Sequence, residues 1–251
     1  MTADYIKQGD CLELMKEIPS GSVDMILCDL PYGVTHNSWD KKIELLKLWT
    51  EYKRIVKENA AIVLFAKEPF TSELITSNVK GFKHKWIWNK SASGSFNLAK
   101  VMPLQITEDI IVFTANGKGV KYYPQMCQGK MRKKGGKNRE NKALNTSFKT
   151  DCESYNNLYY PTNVLYYPSV HFKRLHPCQK PIELLEYLIR TYTNEGGTVL
   201  DNCMGSGSTI VACKNTNRHY IGFELEKEYF EVARERIEKA KIEKGGCDEK
   251  P

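Results

Sequence analysis

The sequence predicts an α/β protein, a mostly parallel sheet covered by helices on both faces. Three observations lead there. Short apolar runs alternate along the chain with stretches of helical period. Two of those runs end in compact polar segments, Asp29-Leu30-Pro31-Tyr32 and Asp201-Asn202-Cys203-Met204-Gly205-Ser206-Gly207-Ser208-Thr209, placed as an open α/β sheet places a ligand crevice. And 251 residues suffice for one full-sized core, so a single domain carrying an insertion is expected.

The elements follow in order. Residues 5–10 read as a short strand and 11–18 as a helix. Residues 23–28 form an apolar strand ending at Asp29. Apolar residues at 45, 48, 49, 52, 55 and 56 predict an amphipathic helix over 43–57. Strands are expected at 60–65, 82–88 and 109–114, with a helix at 70–79; Trp86 and Trp88 are read as sheet residues. From 115 to 171 no regular period is evident, and an insertion with little regular helix is expected. Order returns with a helix at 181–192, whose proline sits near the first turn. A strand at 198–200, a helix from 208, a strand at 219–223 and a charged helix at 227–244 complete the sheet. Residues 245–251 read as a frayed tail.

Composition excludes several classes. No apolar run approaches 18 residues, so no membrane span is expected, and the N-terminus lacks a signal-peptide pattern. The eight cysteines include no Cys-x-x-Cys pair and read as reduced thiols of a cytosolic protein without a metal. The net charge of +7 is localised: ten Lys or Arg and the single acid Glu140 lie within 117–150, leaving the remainder slightly acidic. Such clustering suits a polyanion, because Lys and Arg that neutralise phosphates release counterions.

The second polar segment has the form of a cofactor turn. A strand runs into Asp201, then into a Gly-x-Gly turn that opens a helix, and Gly205 and Gly207 let the backbone approach a ligand without a Cβ clash. Glu224 ends the next strand, where a carboxylate can accept both hydroxyls of a ribose. A dinucleotide enzyme would also want an acid there, but it wants a third glycine where Ile210 stands.

This stretch resembles the Asp-Pro-Phe-x-Gly-Ser-Gly-Thr-Thr motif of the amino-methylating (N6/N4) DNA methyltransferases, with Asn202, Cys203 and Ser208 as departures. His176-Pro177-Cys178-Gln179-Lys180-Pro181 resembles the family's His-Pro-x-Gln-Lys-Pro motif, and Gly9-Asp10-Cys11 its Gly-Asp segment. Asp29-Leu30-Pro31-Tyr32 resembles the catalytic Asp-Pro-Pro-Tyr, with Leu30 departing. The order, clamp first and cofactor turn last, resembles the circularly permuted beta group. The resemblance implies a Rossmann-like fold that uses S-adenosylmethionine and no metal. It implies a cofactor set of Asp10, Cys11, Asp29, His176, Lys180, Asp201, Cys203, Gly205, Gly207, Thr209 and Glu224.

The chemistry of the clamp agrees. An exocyclic base amine is a poor nucleophile, since its lone pair is delocalised into the ring. The Asp29 carboxylate and the Leu30 main-chain carbonyl can accept its hydrogens where water is excluded. Pro31 keeps Leu30 extended, and Tyr32 would stack on a base rotated out of the duplex. Asp at the first position implies adenine N6, with cytosine N4 as the alternative. Pro177-Cys178-Gln179 spells the cytosine-C5 nucleophile motif, but inside the other match and away from the clamp.

The resemblance further implies a catalytic half at 1–114, a basic target-recognition region at 115–171 and a cofactor half at 172–244. Lys130, Arg132, Lys133, Lys134, Lys137 and Arg139 are the expected contacts to double-stranded DNA. Tyr155, Tyr159, Tyr160, Tyr166 and Tyr167 are read as core packing ahead of base stacking. The expected setting is restriction–modification in a prokaryotic or phage-infected cytoplasm, and the resemblance admits a homodimer and a separate cognate endonuclease as partners. An RNA methyltransferase and a catalytically silent DNA-binding protein are the competing functions.

Overall fold

The computed structural model describes residues 4–33, 42–93, 96–134, 139–141, 146–148, 154–170 and 179–240, with backbone alone over 132–134, 139–141, 146–148 and 154–155. The elements are β1 (Tyr5–Gln8), α1 (Cys11–Leu14), β2 (Val23–Asp29), α2 (Leu45–Ile55), β3 (Val56–Ala66), α3 (Phe70–Ser77), β4 (Phe82–Asn89) and β5 (Thr107–Phe113). There follow β6 (Cys127–Lys134), β7 (Arg139–Asn141), β8 (Thr146–Phe148), β9 (Ser154–Tyr159) and β10 (Val164–Tyr166). The chain continues through α4 (Ile182–Tyr192), β11 (Thr198–Asp201), α5 (Ser208–Asn215), β12 (His219–Glu224) and α6 (Lys227–Lys239).

Eight strands form the main sheet in the order β1-β12-β11-β2-β3-β5-β4-β10. Every neighbouring pair is parallel except those made by β5, which runs against both β3 and β4. The sheet is therefore mostly parallel, and strand period two sends alternate residues to opposite faces. On β2, Ile26 and Cys28 join a core that includes Leu48, Trp49, Tyr52 and Ile55 of α2. Met25 and Leu27 join the opposite core, with Leu184, Leu185, Leu188 and Ile189 of α4. Each helix turns its 3.6-period apolar stripe to the sheet, and each fully buried large aliphatic side chain contributes about 1.5–3 kcal/mol. Trp86 and Trp88 are buried in the sheet, as expected.

Some boundaries differ from expectation. Strand β3 starts at Val56, directly after α2, because Val56 pairs with Val23 across an irregularity in the ladder. A β-branched residue favours that pairing over continued helix. Helix α1 is a single turn, capped by the Asp10 carboxylate on the Leu12 N–H at 2.8 Å and continued as a 3-10 turn at Met15–Glu17. The last turn expected for α6 and the tail fall outside the described residues.

Residues 124–162 form a second compact unit, while 1–123 and 163–251 form the first. Within the second, β6 pairs antiparallel with β9 and β7 with β8. These two-stranded ribbons had no expression in apolar periodicity, since their ladders are backbone hydrogen bonds between largely polar sequences. Core packing requires correction for two of the five tyrosines, and the Tyr155 side chain lies outside the described residues. Tyr167 does pack against a core cluster, but Tyr160 and Tyr166 are mostly exposed. Among the described residues no helix is long and apolar enough to cross a membrane.

Candidate active site

A cavity of about 350 Å³ opens at the carboxyl ends of β1, β2, β3, β11 and β12, in the first unit. This is the rim where parallel strands of an open sheet present their loops to ligands. Asp10 and Cys11, directly after β1, form one wall. The turn after β11 forms the floor, with Asp201, Cys203, Gly205 and Thr209 among the lining residues. Glu224 closes β12 beside it.

The floor is held by its own polar groups. The Asp201 carboxylate accepts the Cys203 N–H at 3.1 Å, and burial pushes its acid up to about 6, opposed by hydrogen bonds from Thr209, the Cys203 N–H and Cys28. Glu224 accepts the Gly205 N–H on one oxygen at 2.8 Å and the Glu226 N–H on the other at 2.9 Å. Its pKa is raised by burial, while those N–H groups resist the shift. Gly205 has a left-handed φ of +50°, which brings its N–H to that carboxylate. Gly207 is not a lining residue. It caps α5 with φ +76°, and a Cβ there would stand 3.1 Å from Ile237 and 3.2 Å from Ala233, so its glycine serves the packing of α6.

The clamp segment stands at the end of β2 and lines the same cavity, with Leu30 buried. Tyr32 Oη donates to Asp29 Oδ1 at 2.8 Å, and the Tyr32 ring stacks on Phe70 at 5.1 Å between centroids. Lys180, just ahead of α4, donates to Asp29 Oδ2 at 2.5 Å. Burial raises the Asp29 pKa, with Lys180 the main opposing charge and Glu108 reinforcing the rise. Three thiols gather beneath. Cys11 is raised first by its hydrogen bond to Cys203 and then by burial, and Cys28 is pushed up to about 12 by burial. As protonated thiols they are small apolar groups, Cys11 and Cys203 lining the cavity and Cys28 lying in the core.

The structure thus brings Asp10, Cys11, Asp29, Leu30, Pro31, Tyr32, Lys180, Asp201, Cys203, Gly205, Thr209 and Glu224 around one cavity. His176 and Cys178 lie outside the described residues, as does Lys137. Lys130, Arg132, Lys133 and Lys134 lie on β6 and Arg139 on β7, all in the second unit. Sequence reasoning missed Phe65 and Asn202 as lining residues. The rule that strand ends face the ligand would have found Phe65, one residue from the end of β3. Asn202 was seen only as a departure from a motif.

The family model described as DNA methylase, of the N6/N4 methyltransferase type, matches residues 23–235. The chain belongs to the N6/N4 DNA methylase family. Relatives of this methylase include Type II methyltransferase M.HpaI of Haemophilus parainfluenzae, 26% identical over 91% of this chain and 72% of the relative. DNA adenine methyltransferase YhdJ of Escherichia coli K12 is 27% identical over 95% of this chain and 84% of its own length. Among solved structures, the M1.HpyAVI–SAM complex is 29% identical with a TM-score of 0.63, covering 92% of this chain and 98% of that one. The cytosine-N4-specific PvuII DNA methyltransferase shares the fold, with a TM-score of 0.67 at 15% identity over 94% of this chain and 86% of its own.

The methylase's cavity fits S-adenosylmethionine, the methyl donor of the family. Glu224 and Asp10 end or follow adjacent strands, where they can meet ribose and adenine, and the floor glycine leaves the approach open.

Proposed function

We propose that this methylase transfers a methyl group to adenine N6 in duplex DNA, and that it belongs to the permuted group, since its clamp precedes its cofactor turn in the sequence. The observation that carries the proposal is the meeting of Asp29-Leu30-Pro31-Tyr32 and the Gly205–Glu224 floor around one cavity.

S-adenosylmethionine supplies an electrophilic sulfonium methyl when bound. The Glu224 carboxylate, held by two backbone N–H groups, has lone pairs left for ribose hydroxyls. The Asp29 carboxylate and the Leu30 carbonyl accept hydrogens from the target amine, so that its nitrogen regains a directed lone pair. Tyr32, fixed by Asp29 and Phe70, presents its ring to the base. The basic residues of β6 and β7 hold backbone phosphates and so position the duplex.

Asp29 supports adenine over cytosine N4, and the name of YhdJ agrees with that choice. The deciding measurement is incubation with unmethylated duplex DNA and S-adenosylmethionine, followed by nucleoside digestion and mass spectrometry. N6-methyladenine is the expected product. N4-methylcytosine overturns the base assignment, and the absence of any methylated nucleoside while the cofactor binds overturns the DNA reading.

A further inference from the structure

A buried charge chain lies behind the clamp. Lys180 Nζ sits 2.5 Å from Asp29 Oδ2 and 3.6 Å from Glu108 Oε2. The other Glu108 oxygen accepts from Lys90 Nζ at 2.9 Å. Two carboxylates and two ammonium groups thus alternate, and their formal charges cancel. Lys180 is buried, and its ammonium faces the Phe65 ring at 5.0 Å and the Trp88 ring at 5.9 Å.

Two features of the chain do not fit a static structural bridge. Glu108 Oε2 is buried and makes no hydrogen bond, with the Lys180 ammonium held off at 3.6 Å, although a buried carboxylate oxygen without a hydrogen bond is costly. And Asp29, the acceptor on which the clamp depends, spends one oxygen on Tyr32 and the other on an ammonium. An ammonium on the carboxylate withdraws the electron density that a target amine needs. Relief is close by. A displacement of under about 1 Å would bring Nζ from 3.6 Å into hydrogen-bond range of Glu108 Oε2. The two aromatic faces would support the charge along that path, and the net charge of the chain would not change.

We infer that Lys180 is a shuttling counter-ion shared by two carboxylates, and that Glu108 is the positioning residue that draws it off Asp29 when the target amine enters the clamp. The inference rests on the assignment of Asp29 as the amine acceptor. Glu108 does not line the cavity; it acts on Asp29 by its own charge and by its hold on Lys180. In the empty site Lys180 neutralises Asp29; in the loaded site the amine takes Oδ2 and Lys180 completes Glu108.

Two substitutions separate this role from simple stabilisation because they act with opposite sign. Glu108→Gln keeps the shape of the side chain and removes its charge, so Lys180 stays on Asp29. Lys90→Met keeps an apolar stem beside Trp88 and leaves Glu108 with a stronger hold on Lys180. The charged or titratable groups that act on Asp29 are Lys180, Glu108 and Tyr32, with the Asp201 carboxylate and the Cys28 thiol also nearby. The acid limb of kcat/KM against pH reads the Asp29 carboxylate.

The full-length protein is assayed with tritiated S-adenosylmethionine and mixed-sequence genomic DNA free of methylated bases. Glu108→Gln is expected to lower kcat/KM for DNA about tenfold, to move the acid limb to lower pH, and to leave the cofactor Kd within about twofold. Lys90→Met is expected to move the acid limb to higher pH. Should Glu108→Gln fail to fold, the direction of the Lys90→Met shift decides alone. Acid limbs unmoved in the folded variants, or a Glu108→Gln shift of the same size when Lys180 is already replaced by Met, overturn the inference while leaving the clamp standing. Full turnover by Asp29→Ala removes the clamp and the inference together.

Discussion

Tyr52 Oη donates to Asn202 Oδ1 at 2.5 Å, a buried bond that ties α2 to the turn under the cofactor cavity. Asn202 stands where the family motif has proline, a residue whose side chain offers no such acceptor. The rigidity that proline supplies through its ring is replaced here by a side-chain bond from a helix 150 positions away.

Tyr52→Phe is therefore expected to destabilise the fold by about 1–3 kcal/mol, the cost of leaving a buried amide oxygen unpaired. Urea unfolding measures it. The variant should also bind S-adenosylmethionine more weakly, and a wild-type unfolding midpoint would show that the bond does not support the turn.

Glu224 is expected to set cofactor affinity. In Glu224→Gln the amide must turn its NH2 toward either Gly205 N–H or Glu226 N–H, losing one of two backbone partners. A rise in cofactor Kd of about 10- to 100-fold follows, corresponding to about 1.4–3 kcal/mol. Calorimetric titration checks it, and an unchanged Kd would exclude the carboxylate from the binding site.

Asp201 makes stability depend on pH in a stated direction. Its folded pKa of about 6 lies above the usual value near 3.8, so the folded protein keeps a proton that the unfolded chain releases. Stability is lost as pH rises between those values, by about 3 kcal/mol at most, and no further loss occurs above. Asp201→Asn cannot titrate, so its stability relative to wild type should climb from pH 4 to pH 6 and then level off. A difference that stays flat over that window would contradict the raised acid.

Asp29→Ala should abolish transfer while the cofactor still binds, because the clamp and the Gly205–Glu224 floor are built from different strand ends. Single-turnover assays with parallel cofactor titration separate the two effects. Near-normal turnover would sink the clamp.

Replacing Lys133 and Lys134 with Ala should weaken DNA binding and lower the slope of log K against log salt by roughly two, one for each lost phosphate contact. A slope identical to wild type would remove β6 from the DNA interface.

The parallel sheet and most of the cavity were legible because they rest on local signals. Apolar runs such as 23–28 declared strands, and polar segments at their carboxyl ends declared the rim. What the sequence hid depends on long-range pairing. Nothing near residue 108 announces that Glu108 will face Lys180, since the two meet only when β5 is inserted against its neighbours. Gly207 was read as an approach to ligand because the turn is local, while its contact with Ile237 belongs to the packing of α6. The strands of 124–162 escaped notice because the sequence there carries no apolar period, while their ladders are made by backbone hydrogen bonds.

The reversed direction of β5 has an engineering consequence. Its first residues stand at the rim where its parallel neighbours end, as the pairing of Asp109 with Ala66 and of Glu108 with Trp88 requires. The connection over 90–106 therefore feeds directly into the catalytic rim, whereas the turns at 79–81, 114–119 and 194–197 lie at the other end of the strands. A tag or reporter inserted at Gly196–Gly197 is far from the chemistry, but the same insertion between Lys90 and Thr107 would disturb the chain of charges behind Asp29.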